Sequence, residues 1–135
     1  IHKSGTAPFQ GVLQYADIPA EKGLFIMDTP GQDIESITGM VAGGAQVVIF
    51  TTGRGTPTGN PLAPVIKLTG NFHTFKNMED NIDFDVSEIV SGHKTIKEMG
   101  EKLFEEIVEV CNGKITKAEA LKHREFCIYK IAPTF

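Results

Sequence analysis

Residues 23–50 change their apolar spacing twice in quick succession, and that alternation restricts the fold more than any other feature of the chain. "GLFIMD" (23–28) is a continuous apolar run set between Gly23 and "TPG", the pattern of a strand buried on both faces. "GQDIESITGMVAGG" (31–44) follows. Its Ile34, Ile37, Thr38 and Val41 stand three and four residues apart and share one helical face, and Gly43-Gly44 supplies a stop. "AQVVIF" (45–50) then returns to the strand pattern. Strand, helix and strand in so short a stretch predict a βαβ unit, with parallel strands and a right-handed crossover.

The rest of the chain continues in the same style. "PVIKLTG" (64–70) reads as a third strand and "NIDFDV" (81–86) as a weaker fourth. "TIKEMGEKLFEEIVEVC" (95–111) is a strongly amphipathic helix: Ile96, Met99, Leu103, Ile107 and Val110 form a stripe that Phe104, Val108 and Cys111 widen. Thr95 with Glu98 makes a capping box at its start, and Asn112-Gly113 ends it. A second capping box, Thr116 with Glu119, opens a short helix before a terminal strand, "FCIYKI". The expected class is α/β, a three-layer sandwich around a mainly parallel sheet, Rossmann-like in layering but not dinucleotide-binding. Residues 1–10, with Ile at position 1, read as a linker from a missing N-terminal part, and 11–135 as a single α/β domain of a longer polypeptide.

Composition narrows the partners. The 135 residues carry a net charge of −4 without any block of like charge, so no nucleic-acid footprint is visible. No apolar stretch approaches the roughly 20 residues of a membrane-spanning helix. Cys111 and Cys127 are far apart and read as structural thiols of a reducing, cytoplasmic compartment.

Loops that follow parallel strands emerge at one edge of the sheet, where open α/β folds bind ligands. Three segments qualify: "DTPG" (28–31), "TTGRGTPTGNP" (51–61) and "TGN" (69–71). The second sets Arg54 among glycines, prolines and threonines. A guanidinium matches a carboxylate bidentately. Thr29, Thr51, Thr52, Thr56 and Thr69 add hydroxyls, while Gly31, Gly53 and Gly55 let a ligand approach the backbone. The plain alternative is a solvated loop arginine with turn-capping threonines. Neither a phosphate loop nor a dinucleotide fingerprint is present. Lys67 interrupts an apolar strand and is either a base with a lowered pKa or a residue on a solvated face. His73 lies near the same edge. Asp80, Asp83 and Asp85 form a carboxylate cluster able in principle to hold a hard cation, and His93 and His123 flank helices.

The ordered set "MDTPG", "TGMVAGGA", "FTTGRGTPTGNP" and "P-x-IK", with the ending "GKITKAEALKHREFCIYKIAPTF", resembles the C-terminal region of the altronate and galactarate dehydratase family, from about Gly11 onward. The resemblance implies a sugar-acid hydro-lyase: removal of the proton beside a carboxylate, loss of the β-hydroxyl as water, and tautomerisation to a 2-keto-3-deoxy acid. It implies a divalent metal, iron or manganese, whose ligands this sequence does not identify and leaves open to lie outside this chain. It also implies N-terminal domains of the same polypeptide as partners, a small sugar acid as substrate, and leaves a homo-oligomer open. On this reading Arg54 and Lys67 are the catalytic candidates, and Thr29, Gly31, Thr51, Thr52, Gly53, Gly55 and Asn71 bind substrate. The isolated domain is expected to be inactive. A related branch resembles sulfolactate sulfo-lyase large subunits. A reading from another class is a non-catalytic carboxylate-binding or assembly domain.

Overall fold

The computed structural model describes residues 5–128. The chain divides into two compact units, residues 1–45 with 126–135, and residues 46–125.

In the first unit, β1 (Gly11–Leu13) pairs in parallel with β2 (Phe25–Met27), Gly11 opposite Phe25 and Leu13 opposite Met27. Backbone bonds from Gln10 N–H to Leu24 O and from Asp28 N–H to Leu13 O, both 2.8 Å, extend the ladder at either end. Helix α1 (Asp33–Ala42) follows, with Asp33 and Glu35 in its first turn, where carboxylates complement the helix dipole. It ends as the glycine pair predicts: Gly43 N–H bonds Gly39 O at 2.9 Å, and Gly44 turns the chain with φ +104°. The face it buries centres on Ile37 and Gly39. Tyr15 lies against that face, its hydroxyl donating to Glu35 O at 2.9 Å.

In the second unit, β3 (Val48–Thr51), β4 (Val65–Thr69) and β5 (Phe84–Asp85) form a parallel sheet in that order. β4 is the middle strand and all five of its residues are buried. Val65, Ile66 and Ile82 are at most 1% exposed; withdrawing each such side chain from water contributes about 1.5–3 kcal/mol. The helices are α2 (Phe72–Asn77), α3 (Ser87–Val90), α4 (Ile96–Cys111) and α5 (Lys117–Ala120). Both predicted capping boxes are present, on α4 and α5. Among the described residues, no helix is long and apolar enough to cross a membrane.

The α/β class and the parallel pairing are as expected, but the strands lie in two small sheets. β2 and β3, expected to neighbour one another, belong to different sheets: β1 takes β2, and β4 takes β3. A buried apolar run specifies a strand without specifying its partner, which is a long-range choice. The three-residue β1 and the short helices α2 and α3 carry too little periodicity to be read locally. Residues 126–128 are not in a strand, and the remainder of the expected terminal strand lies outside the described residues.

α4 also departs from its sequence reading. Of the broad apolar stripe only Met99 and Val110 are buried, whereas Ile96, Phe104 and Val108 are 77%, 66% and 42% exposed. Periodicity located the apolar arc, but not which edge of it meets the core.

Candidate functional site

β3 and β4 run parallel, yet the chain between them, residues 52–64, contains no helix. It must travel from the C-terminal end of one strand back to the N-terminal end of the next. That requirement accounts for the length of the glycine-rich segment. The two ends are tied accordingly: Thr52 N–H bonds Leu68 O at 3.0 Å, and Val48 N–H bonds Pro64 O at 2.9 Å. Only the opening residues therefore sit at the C-terminal rim of the sheet. Of the segment 51–61, named above as one of three at that edge, only the start meets it.

At that rim the structure brings together two of the three predicted segments. Thr52 Oγ1 accepts the Gly55 N–H at 2.9 Å, closing a tight turn around Gly53 and Arg54. Gly55 has φ +90°, and a Cβ there would meet Met78 Sδ at 2.1 Å and Thr74 Cγ2 at 3.2 Å, so the turn requires glycine. Gly53 O accepts from Asn71 Nδ2 at 3.3 Å and from Thr74 Oγ1 at 2.8 Å. Asn71 is at the same time the N-cap of α2, its Oδ1 accepting His73 N–H at 3.0 Å. Both ends of its amide are thus engaged in holding the rim. Thr69, buried at the end of β4, accepts Asn71 N–H at 3.2 Å. Thr51 and His73 are exposed. Arg54 is exposed as well, and among the described residues its guanidinium has neither a hydrogen-bond nor an ion-pair partner.

Thr29 and Gly31 belong to the first unit. Thr29 Oγ1 and Ser36 Oγ share a hydrogen bond of 2.9 Å, and Gly31 has open space where a Cβ would stand.

Beneath the loop lies a group of charges that sequence spacing did not assemble. Lys67 is fully buried. Its Nζ donates to Thr58 O at 3.3 Å and stands 4.0 Å from Asp83 Oδ2. Burial pushes this ammonium below the ordinary lysine range, an effect that Asp83 and Glu125 oppose and Lys117 assists. Asp83 accepts two backbone N–H groups, Lys67 at 2.8 Å and Lys117 at 2.7 Å. Glu125 accepts Gly59 N–H at 3.0 Å and pairs with His123 Nδ1 at 3.0 Å. Burial raises the Glu125 carboxyl, but the bonds from Gly59, from its own backbone and from His123 outweigh burial and hold it below the usual glutamate value. Gly59 and Glu125 are 66 positions apart, and no local signal joins them.

The carboxylates of the 80–85 segment are engaged in backbone contacts: Asp83 as above, and Asp85 Oδ1 accepting Ser87 N–H at 2.8 Å. Among the described residues, no three of His, Cys, Asp and Glu are grouped to hold a metal ion. The donor set of the described residues therefore does not by itself fit a metal centre. A polar cleft of about 340 Å³ adjoins this group of charges, lined by residues including Asn60, Pro64, Glu119, His123 and Arg124.

The class these features define is an α/β domain of parallel strands, with a glycine- and threonine-rich crossover presenting a lone arginine beside the strand ends. Comparison with known sequences places it further. The chain belongs to the family of D-galactarate/altronate dehydratase C-terminal domains, whose profile matches residues 1–134. It is 40% identical over 121 residues to (2R)-sulfolactate sulfo-lyase subunit beta of Chromohalobacter salexigens, covering 90% of this chain and 31% of that protein. It is 40% identical over 114 residues to galactarate dehydratase (L-threo-forming) of Escherichia coli, covering 84% and 22%. With altronate dehydratase of Escherichia coli it shares 33% over 132 residues, covering 98% and 26%. The chain spans between a fifth and a third of the length of these relatives.

Proposed function

We propose that this chain is the C-terminal part of a sugar-acid hydro-lyase acting on altronate or galactarate, and that the rim at Thr51–Gly55 and Thr69–Asn71 receives the substrate's carboxylate end. The observation that carries this reading is Arg54, an exposed guanidinium without a protein partner among the described residues, on a turn fixed from both sides by Thr52, Asn71 and Thr74. With no partner among the described residues, all five guanidinium N–H donors are left to a ligand. Family membership supports the reading independently.

The chemistry follows from the substrate. A proton beside a carboxylate leaves only if the enediolate charge that develops is held by oriented donors. Arg54 meets the two carboxylate oxygens with two parallel N–H bonds, and these strengthen as charge accumulates on them. The β-hydroxyl departs with its bonding pair and gains a proton to leave as water. The resulting enol tautomerises to the 2-keto-3-deoxy acid. Lys67, fully buried under the loop, is not placed to take the α-proton directly. A divalent metal would draw its ligands from the remainder of the longer polypeptide, as would most contacts to the sugar hydroxyls.

A second reading, sulfite release from sulfolactate, is favoured by the 40% identity to the sulfo-lyase subunit over 90% of the chain. Supplying the full-length polypeptide with altronate, galactarate and sulfolactate, and measuring keto-deoxy acid against sulfite, separates the two. In the same polypeptide Arg54→Ala lowers kcat/KM by about 10²–10³ with folding intact. Unchanged kinetics with a lower Tm would instead make Arg54 structural and the domain a binding or assembly module. The 135-residue chain alone turns over none of the three substrates; a domain as active as the whole would refute its dependence on the rest.

A further inference from the structure

We propose that Lys67 is a positioning residue, whose buried ammonium acts with Glu125 to fix the returning half of the crossover loop and thereby sets where Arg54 is presented. The significance for Arg54 rests on the function proposed above; the clamp itself does not.

Arg54 sits in the Thr52–Gly55 turn, and the loop that carries it is anchored before Arg54 at Gly53 and again further on at Gly59. On one side Gly53 O is held by Asn71 and Thr74. On the other Gly59 N–H is held by Glu125 at 3.0 Å, and the preceding carbonyl, Thr58 O, by Lys67 Nζ at 3.3 Å. Lys67 and Glu125 thus grip both polar groups of a single peptide unit, the carbonyl from the sheet and the N–H from the segment after α5. The unit is closely packed on both sides. A Cβ on Gly59 would stand 2.3 Å from His123 O, and Thr56 and Thr58, both buried, share a hydroxyl bond of 2.8 Å. The charged groups facing Lys67 are Asp83, Glu125 and Lys117.

A cation at the centre of a buried parallel strand is a poor device for stability, since replacing a buried ion pair by apolar side chains is often neutral or favourable. It is an effective device for orientation. A neutral apolar side chain of the same length fills the space under the loop but leaves Thr58 O without its donor. Full burial also separates the Lys67 ammonium from any molecule at the surface, which distinguishes a role through the loop from direct proton transfer.

Amide hydrogen exchange on the full-length polypeptide carrying Lys67→Met tests the clamp. The variant keeps its fold by circular dichroism. Exchange at Thr58 and Gly59 becomes about five- to tenfold faster, the effect of one lost hydrogen bond, while α4 is unaltered. A folded variant with unaltered loop exchange overturns the proposal. Should Lys67→Met fail to fold, Glu125→Ala, at a side chain 35% exposed, decides: faster exchange at Gly59 supports the clamp and unaltered exchange overturns it. The consequence for Arg54 is read in the full-length polypeptide by a double-mutant cycle on kcat. If Lys67 acts through the loop, Arg54→Ala loses less in the Lys67→Met background than in the native one. Additive losses overturn the positioning role. Absence of turnover on any of the three substrates counts against the proposed function, whereas the exchange result continues to decide the clamp.

Discussion

Asp83 Oδ2 accepts the backbone N–H of Lys67 at 2.8 Å while standing 4.0 Å from the Nζ of the same residue. One carboxylate oxygen therefore fixes the middle of β4 and neutralises the charge that β4 buries, and the other oxygen holds Lys117 N–H at the start of α5.

Removing that carboxylate is expected to be among the more damaging single changes in the second unit. Asp83→Ala takes the nearer counter-charge from the Lys67 ammonium, leaving only Glu125, and leaves two backbone donors without their acceptor, at a cost of about 3–5 kcal/mol. Lys67→Met falls well short of that loss, because it removes the charge that needed the partner. Urea unfolding of the two variants and of the double substitution checks the order; equal losses from Asp83→Ala and Lys67→Met would show that the pair does not behave as a buried ion pair.

Stability should depend on pH at both ends of the range, with opposite origins. At Lys67 burial lowers the folded-state value, so between that value and the ordinary 10.5 the unfolded chain retains a proton that the folded chain has released. The stability contributed by this site accordingly rises with pH across that window. Glu125 works at the acid end. Its folded value lies below the ordinary 4.5, so its contribution is present above 4.5 and disappears as pH falls through the lower folded value. Unfolding midpoints measured against pH should lose the alkaline rise in Lys67→Met and part of the acid decline in Glu125→Ala.

Two helical glycines are expected to respond in opposite directions to alanine. Intrinsic propensity favours alanine in a helix by about 0.8–1 kcal/mol. At Gly100 in α4 nothing stands within 4 Å of the added Cβ, so Gly100→Ala should stabilise by nearly the full amount. At Gly39 in α1 the Cβ would lie 2.5 Å from the Tyr15 ring, so Gly39→Ala should destabilise. Thermal unfolding of the pair tests whether packing or propensity governs each site.

The same contrast applies along the apolar stripe of α4. Met99 is 4% exposed and Phe104 66%. Met99→Ala should cost about 2–4 kcal/mol and Phe104→Ala about 0.5 kcal/mol or less. A large loss at Phe104 in chemical denaturation would contradict the burial pattern.

Much of this architecture was legible because its causes are local. The period of apolar residues fixes α1, α4 and the cores of β2, β3 and β4, and the hydroxyl-to-glutamate spacing fixes both capping boxes. Shape of this kind is encoded within a few residues, where backbone sterics and side-chain reach decide the outcome. The rim was legible in part: Thr52, Gly53, Gly55 and Asn71 are drawn together by turns that immediately follow strands. Strand partnership was not legible, because any buried apolar strand satisfies its backbone equally well against several others. Nor was the route of residues 56–64, which the parallel register of β3 and β4 sends away from the rim.

The sequence by itself determined that this is an α/β chain of parallel strands and placed Arg54 on a glycine-rich loop at the end of one of them. Only the tertiary structure decided that Lys67 is a buried cation matched by Asp83, and that Glu125 reaches Gly59 across 66 positions. The physical reason is that helix periods and caps are settled within a turn or two of chain. Burial of a charge and the identity of its counter-charge are settled only when distant segments close around it.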